Sequence, residues 1–360
     1  MRHKHGIVAL SSPGAADHDG PMDLVLLAGV VMALAFALTN GFQDAANAIA
    51  TLVATRAARP VTAILMASVA NLLGPLLVGA AVADTVARIV TVEPGIAVAV
   101  IGAGLTGAVL WNTITWYRGI PSSASHALVG GLAGAAIVSA GLDAVAWGPL
   151  VDGRLGGVLG ILIGILLATL LGFGITWVLE RLALRLVHRA SSAMSGPVRS
   201  AQWLTSAWLA FSHGANDASK AVGVVAAMLV ASGHIEGVAD TGFAVVLACS
   251  LALTLGTALG GWRIVKTIGQ RIYPIHSLDG LVSQAGSAGV IFGASVAGLP
   301  VSTTQVVSSS VVGVGAGRRR WRHVGWGVVR EMGVAWLTTM PAAAILAVVA
   351  LPLWRFLAGA

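Results

Sequence analysis

The sequence has very little cysteine and very little charge. Cys249 is the single cysteine among 360 residues, which excludes an internal disulfide and a cysteine-based metal site. Only 10% of the residues are charged and 57% are hydrophobic, a composition that excludes a soluble globular domain or a disordered chain of this length. The remaining class is a polytopic helical membrane protein, and several apolar runs approach the ~20 residues that cross a bilayer.

The formal net charge is +7, but its distribution does not favour nucleic acid as a partner. The basic residues stand in short segments between apolar runs, as cytoplasmic loops of membrane proteins do. They are Arg181, Arg185, Arg189 and Arg199; Arg263, Lys266 and Arg271; and Arg318, Arg319, Arg320 and Arg322. We interpret them as topological signals, with the alternative that a basic rim concentrates an anionic substrate.

Two polar motifs each occur twice. The segment 40–48 (NGFQDAANA) returns at 213–221 (HGANDASKA), and the segment 119–126 (GIPSSASH) returns at 298–305 (GLPVSTTQ). The spacings agree, because 217 − 44 = 173 for the aspartates and 300 − 121 = 179 for the prolines. Polar groups within apolar sequence are costly in lipid and mark ion or substrate paths. Duplicated halves of this kind are typical of secondary transporters.

This duplication predicts an all-α polytopic membrane fold made of two repeats, residues 22–190 and 201–360. A cytoplasmic linker is expected at 191–200. A disordered extension is expected at 1–21, where the apolar core of a signal peptide is missing. The first apolar run, 24–38, is expected to stop at the first polar motif, with a separate helix over 45–53. Short broken pieces favour inverted over parallel repeats, although the sequence leaves that choice open.

The hydroxyl motifs predict an anion site at two helix N-termini. Pro121 and Pro300 suit the first turn of a helix, where a missing N–H costs nothing. The hydroxyls in or beside that turn belong to Ser122, Ser123, Ser125, Ser302, Thr303 and Thr304. Together with unpaired helical N–H groups they would surround an oxyanion with donors. The alternative is that these hydroxyls only cap their helices.

The aspartate motifs predict a cation site. Asp44 with Asn47, and Asp217 with Lys220, are three residues apart, so each pair shares one face of a helix. A carboxylate with amide oxygens suits a hard monovalent cation, and a carboxylate can equally carry a proton. For Asp217 the alternative is an internal ion pair with Lys220.

These elements resemble the inorganic phosphate transporter family, also called the PiT or Pho-4 family. The family signature G-x-N-D-x-x-N/K is seen at Gly41–Asn47 and Gly214–Lys220, and its proline–hydroxyl elements at Pro121–His126 and Pro300–Gln305. The loop Gly260–Gly269 matches as well, and the resemblance extends from Leu24 to Leu353. It implies inverted repeats with two re-entrant helical hairpins and broken helices, often as a homodimer in the bacterial cell membrane.

The resemblance also implies import of inorganic phosphate driven by a sodium or proton gradient, with no organic cofactor. The six hydroxyls would bind phosphate, and the coupling cation would be held by Asp44, Asn47, Asn216 and Asp217. Asp44 and Asp217 would be metal ligands if that cation is sodium. Further candidates are Gln43, Lys220, His126 and Gln305, of which the two glutamines depart from the family pattern. The match of Gly41–Arg56 to bacterial members favours protons over sodium, and a metal–phosphate complex stays open as the substrate.

Three alternatives remain open. Sulfate would suit a site made only of donors, whereas protonated phosphate also needs an acceptor such as Asp44. An intramembrane hydrolase could use Ser125, His126 and an aspartate, but no G-x-S-x-G element is present and the second copy lacks the histidine. A channel would not show saturable, gradient-dependent uptake.

Overall fold

The structure is a computed structural model that describes residues 24–79, 81–151, 153–187 and 195–359. The described part contains twelve α-helices and one two-stranded antiparallel ribbon. The first six helices are α1 (Leu24–Ala54), α2 (Pro60–Val78), α3 (Ala81–Ala87), α4 (Pro94–Arg118), α5 (Ala124–Ala140) and α6 (Gly157–Val187). The ribbon before α6 pairs β1 (Leu150–Val151) with β2 (Arg154–Leu155). The last six are α7 (Ser195–Ala231), α8 (Phe243–Leu259), α9 (Trp262–Lys266), α10 (Ser277–Val296), α11 (Thr303–Gly317) and α12 (Trp326–Ala358).

The two repeats, α1–α6 and α7–α12, have inverted topology. Helices α1 and α7 hold the equivalent residues Asp44 and Asp217, yet they run in opposite directions. The start of α1 and the end of α7 line one cavity, which includes Leu24 and Ala231. At the other end, the Thr55 hydroxyl after α1 donates to Oε1 of Gln202 near the start of α7 at 3.1 Å. Equivalent helices that run antiparallel confirm the prediction of inverted repeats.

Each repeat contains one helical hairpin, α4–α5 or α10–α11. Helix α5 folds back on α4, so that Gly131 packs against Gly104. The two hairpins approach each other from opposite ends of the molecule and meet near their tips, where the Ser125 hydroxyl donates to the Val301 carbonyl at 2.7 Å.

The broken helices are α2–α3 and α8–α9. Each breaks at a glycine with positive φ, Gly79 (89°) and Gly260 (72°), a conformation that side chains with a Cβ disfavour. The second break bends the chain by 63°. Beyond each break, a threonine hydroxyl donates to a glycine carbonyl at the tip of the other repeat's hairpin. Thr85 donates to the Gly298 carbonyl at 2.7 Å, and Thr267 donates to the Gly119 carbonyl at 3.3 Å.

The prediction that the first apolar helix stops at the aspartate motif is wrong, because α1 runs through the motif without a break, as α7 does. The motif glycines serve close helix packing instead of a turn. A Cβ on Gly41 would lie 3.0 Å from the Gly256 Cα on α8, and one on Gly214 would lie 2.7 Å from the Asn71 Cα on α2. The polar motif side chains bond to other helices, so they do not compete for the local helical hydrogen bonds.

Polar residues lie inside and apolar residues face outward, the reverse of a soluble protein. Asp44, Asp217 and Lys220 are at most 2% exposed, whereas Leu337 is 80% and Leu166 is 60% exposed. Within the described residues, five helices are long and apolar enough to cross a membrane, and the bent pair α8–α9 makes a sixth. The protein is therefore a multi-pass membrane protein.

The charged residues mark the orientation of the protein in the membrane. Most basic residues of the described chain lie at the end where α1 finishes and α7 starts: Arg56, Arg59, Arg181, Arg185, Arg199, Lys266, Arg271, Arg318, Arg319, Arg320, Arg322 and Arg330. The opposite end carries mostly acids, namely Asp84, Glu93, Asp143, Glu236 and Asp240. By the positive-inside bias, the basic end is cytoplasmic.

A buried ionic cluster joins three helices at this cytoplasmic end. Arg318, after α11, donates through Nε to Glu180 of α6 at 2.9 Å, and its Nη2 lies 2.5 Å from Oδ1 of Asp279 on α10. Both carboxylates are fully buried, whereas the arginine side chain is 18% exposed. Arg318 thus connects both helices of the second hairpin, α10 and α11, to α6.

The repeat boundaries predicted from the sequence remain predictions. The extension 1–21 lies outside the described residues, as do the first four residues of the linker 191–200. The other six residues of that segment form the beginning of α7.

Candidate functional site

The candidate site lies where α1 and α7 meet the tips of the two hairpins. Both aspartate motifs are in the interior of long helices, and both hydroxyl motifs form the N-terminal ends of α5 and α11. None of the predicted ligand side chains from α1 and α7 is more than 2% exposed. The fold therefore brings the four predicted motifs into one closed, polar cluster within the membrane.

Asp44 is held by the hydroxyls of α11. Thr304 donates to Oδ1 of Asp44 at 2.6 Å, and Thr303 donates to Oδ2 at 3.1 Å. The Thr303 hydroxyl also lies 3.2 Å from Oδ2 of Asp217, so it bridges the two carboxylates. The Asn47 amide donates to Thr304 at 3.2 Å. The first aspartate motif thus faces the hydroxyl motif of the other repeat.

Asp217 is held by two basic side chains of its own helix. Lys220 Nζ bonds to Oδ1, which is the ion pair that the sequence left as an alternative. His213 Nε2 lies 2.7 Å from Oδ2 of Asp217 and 3.9 Å from Oδ2 of Asp44. The two aspartates, equivalent by sequence, therefore differ in environment: Asp44 has mainly hydroxyl partners, whereas Asp217 has an ammonium and an imidazole.

The hydroxyls fall into two groups. Ser123 and Ser302 are the N-caps of α5 and α11, where their oxygens accept from the N–H of His126 at 3.2 Å and of Gln305 at 3.4 Å. Ser125, Thr303 and Thr304 point at groups of the aspartate motifs. Ser122 accepts from Gln43 at 2.5 Å and lies 2.8 Å from the Thr115 hydroxyl. Ser123 and Ser302 therefore cap their helices, and their role in binding phosphate stays a prediction.

The first turns of α5 and α11 retain free backbone donors. The N–H groups of Ala124, Ser125, Thr303 and Thr304 have no hydrogen-bond partner among the described residues. Such groups carry the positive end of the helix dipole, and an anion satisfies them without any charged side chain. Two such helix ends lie beside each other, because Ser125 of the first contacts Val301 of the second.

The remaining candidates mainly hold the hairpin tips. The Asn216 amide donates to the Ser295 hydroxyl and the Leu299 carbonyl, both at 3.0 Å, and accepts from the Val301 N–H at 3.2 Å. Its assignment as a cation ligand stays a prediction, because these contacts use both ends of the amide. Gln305 lies 3.5 Å from His126 Nδ1 and accepts from Thr169 at 3.2 Å.

His213 is the main residue that the sequence reasoning did not select. It stands one helical turn before Asp217, at the motif position held by Asn40 in the first repeat. Its Nδ1 lies 3.0 Å from Oδ1 of Asn71, whose amide in turn donates to Thr257 at 2.9 Å. The signal that could have revealed it was this exchange of asparagine for histidine between the two copies.

Asp44, His213 and Asp217 could together hold an ion. Each offers one ligand atom, and these atoms lie within 4.8 Å of one another. The ammonium of Lys220 on Asp217 already supplies one positive charge there. The set therefore suits a monovalent cation or a proton better than a divalent metal ion.

The family comparison agrees with this geometry. The model of the phosphate transporter family matches the chain twice, over residues 40–197 and 187–347. The chain belongs to this family. Each match contains one aspartate motif and one hydroxyl motif, so the phosphate transporter signature coincides with the inverted repeats seen in the structure.

Individual relatives are similar over nearly the whole chain. A protein of Rhizobium meliloti (strain 1021) named "Probable low-affinity inorganic phosphate transporter" is 38% identical over 91% of this chain and 96% of its own length. A protein of Bacillus subtilis (strain 168) with the same name is 38% identical over 91% and 98%. A solved structure named "The sodium-dependent phosphate transporter" superposes with a TM-score of 0.81 at 25% identity, covering 92% of this chain and 99% of that one.

The site does not support the hydrolase alternative, and the family is one of transporters. The Ser125 hydroxyl donates to a carbonyl and accepts from Lys220, both at 2.7 Å, while Nδ1 of the His126 ring lies 2.8 Å from the Ser123 hydroxyl. A nucleophile paired with a base and an orienting carboxylate is therefore not assembled from Ser125 and His126.

The two groups of hydroxyls give different expected mutant phenotypes. We expect the Thr303 hydroxyl to turn from the carboxylates to a bound phosphate. Thr303→Ala should therefore lower phosphate affinity about tenfold to hundredfold, from the ~1.5–3 kcal/mol of a hydrogen bond to a charged group. Ser123→Ala removes a cap, and we expect a loss of about 1 kcal/mol of stability with a smaller effect on affinity. Melting temperature and phosphate affinity measured on the same purified variants test this. A stability loss without an affinity change in Thr303→Ala would show that its hydroxyl does not serve the anion.

Proposed function

We propose that the chain is a secondary active transporter that imports inorganic phosphate across the cell membrane by alternating access. The observation that carries the proposal is the pair of facing helix N-termini with free N–H donors, set beside two buried carboxylates. Donors without fixed charge suit a tetrahedral oxyanion. The names of the relatives support phosphate as that oxyanion.

The two carboxylates explain why transport of the anion would be coupled to a cation or a proton. An anion at the hairpin tips would lie close to Asp44, and burying like charges together is unfavourable in a medium of low dielectric constant. A cation or proton that binds at Asp44 removes this repulsion, so anion and cation favour each other's binding. The acceptor capacity of the carboxylates also suits phosphate, which still carries a proton at neutral pH, better than sulfate, which does not.

The coupling ion is a finer proposal. We favour the proton, because the segment Gly41–Arg56 is similar to that of bacterial family members and because His213 lies between the two carboxylates. The sodium dependence in the name of the structural neighbour supports the alternative, in which Asp44 and Asp217 bind sodium. In either case no organic cofactor is required.

Alternating access follows from the inverted repeats. The cluster is closed to both sides, with the first hairpin reaching it from the external end and the second from the cytoplasmic end. The two repeats have related structures of opposite orientation. Exchanging their conformations would therefore turn a site open to one side of the membrane into a site open to the opposite side. The broken helices α2–α3 and α8–α9, which contact the hairpin tips, are the elements that would move with them.

We expect purified protein in proteoliposomes to accumulate radiolabelled phosphate when an inward proton gradient is imposed, and to show saturation. A sodium gradient at equal pH should give little uptake, and an ionophore that dissipates the proton gradient should abolish it. Sulfate at tenfold excess should compete weakly. Uptake that requires sodium and ignores the pH gradient would overturn the proton assignment while leaving the transporter proposal intact.

Two further arms define the substrate and the assembly. Uptake with and without magnesium distinguishes free phosphate from a metal–phosphate complex. Mass measurement in detergent tests the homodimer, which we retain as a proposal from the family resemblance. No accumulation under any gradient would contradict the transporter proposal itself.

A further inference from the structure

One position of the repeated motif changes charge between the two copies. The residue three positions after the aspartate is Asn47 in the first repeat and Lys220 in the second. Both side chains are buried, each 1% exposed, and both face the hydroxyl motif of the opposite repeat. The structure therefore places a fixed positive charge at one of two positions that are otherwise equivalent.

Lys220 is surrounded by oxygen atoms of the kinds that bind hard cations. Its Nζ bonds to Oδ1 of Asp217, and donates to the Ser125 hydroxyl and the Val301 carbonyl, both at 2.7 Å. A carboxylate, a hydroxyl and a carbonyl are typical ligands of a hard cation. The three contacts also use all three donors of the ammonium group, which leaves none for phosphate.

The first repeat presents matching oxygens without the ammonium. Asp44 corresponds to Asp217, and Thr304, which donates to Asp44 at 2.6 Å, corresponds to Ser125. Oδ1 of Asn47 is buried and has no hydrogen-bond partner among the described residues. An unsatisfied buried oxygen beside a carboxylate favours a bound cation there.

We infer that the ammonium of Lys220 occupies a second cation position, so that this chain has one exchangeable cation site, at Asp44 and Asn47, where a chain with asparagine at 220 would have two. The consequence for transport rests on the proposed function. A tethered charge neutralises Asp217 but cannot cross the membrane, so one cation fewer would move with each phosphate. Lys220 would thus set the coupling stoichiometry.

The test removes the ammonium group of Lys220 by substitution and adds sodium as the probe, in the absence of phosphate. Lys220→Asn should bind one more sodium ion than the parent in equilibrium binding with radioactive sodium. Its melting temperature should rise by about 3–6 °C in 150 mM sodium chloride relative to choline chloride, beyond any rise in the parent. Adding Ser125→Ala to this variant removes one oxygen ligand and should weaken the additional sodium binding at least about tenfold.

Lys266→Asn is the matched control, since it makes the same substitution at an exposed position of the cytoplasmic end, and it should gain no sodium. If Lys220→Asn folds poorly, stabilisation by sodium chloride over choline chloride still reports the site. Equal melting in the two salts, with no additional sodium bound, would overturn the inference. The assay contains no phosphate, so its failure is distinct from a failure of phosphate uptake in the parent protein.

Discussion

Asp44→Asn should reduce gradient-driven phosphate uptake by at least about 100-fold, equivalent to ~2.7 kcal/mol. Asp44 is buried and accepts hydrogen bonds from Thr303 and Thr304, and the inferred exchangeable cation binds beside it. Asparagine keeps the shape and can still accept from a threonine hydroxyl, but it has no charge to hold a cation or proton. The fold should therefore survive while coupling is lost, which uptake in proteoliposomes and the melting temperature measure together.

Asp217→Asn should abolish uptake as well, but for a different reason and with a loss of stability. It leaves the buried ammonium of Lys220 without the carboxylate that pairs with it. Asp143→Asn is the control, because Asp143 is exposed at the external end, and it should transport like the parent. Parental uptake in both Asp44→Asn and Asp217→Asn would show that the cation-site assignment is wrong.

Arg318→Met should destabilise the protein by about 3–5 kcal/mol, the cost of removing the arginine that pairs with two buried carboxylates. Of the two, Asp279 keeps a contact with His276, whose Nδ1 lies 3.1 Å from its Oδ2. Glu180 and Asp279 are fully buried, and Arg318 contacts both of them. Methionine retains much of the apolar stem, so the effect reports the lost guanidinium rather than lost packing. The predicted outcome is a markedly lower melting temperature in detergent.

Two variants show whether that effect belongs to the cluster. Arg322→Met changes an exposed arginine of the same cytoplasmic end and should leave the melting temperature nearly unchanged. Glu180→Gln, combined with Arg318→Met, removes one of the stranded charges and should recover part of the lost stability. If Arg318→Met melts like the parent, the cluster does not hold the second hairpin to α6.

Much of the architecture followed from the sequence because lipid leaves few choices. Apolar runs in a chain with 10% charged residues have to be membrane helices, and the duplicated motifs fix two repeats. The basic segments gave the cytoplasmic end by their position alone. The position of the helix breaks could not be predicted, because a glycine within an apolar run can serve either a break, as Gly79 does, or close packing, as Gly41 does.

The candidate site was predicted as a set of residue types and not as a set of contacts. Asp44, Thr303 and Thr304 meet in the structure, a contact between the two repeats that the sequence did not show. His213 was missed because a histidine at the start of a motif has no distinguishing pattern until its distance to Asp217 is known. Whether Asp217 pairs with Lys220 was likewise open on spacing alone, since both residues could have faced solvent or substrate.

The sequence by itself determined the class of the protein, its two repeats and the residue types of the site, because composition and duplication depend only on the order of residues. The tertiary structure alone decided which carboxylate pairs with an ammonium group of the chain and which is held mainly by hydroxyls. That difference arises because Lys220 reaches three oxygens drawn from α5, α7 and the tip before α11, whereas Asn47 leaves one amide oxygen unpaired. Contacts between segments so far apart in the chain depend on how the helices pack, and packing has no local signal in the sequence.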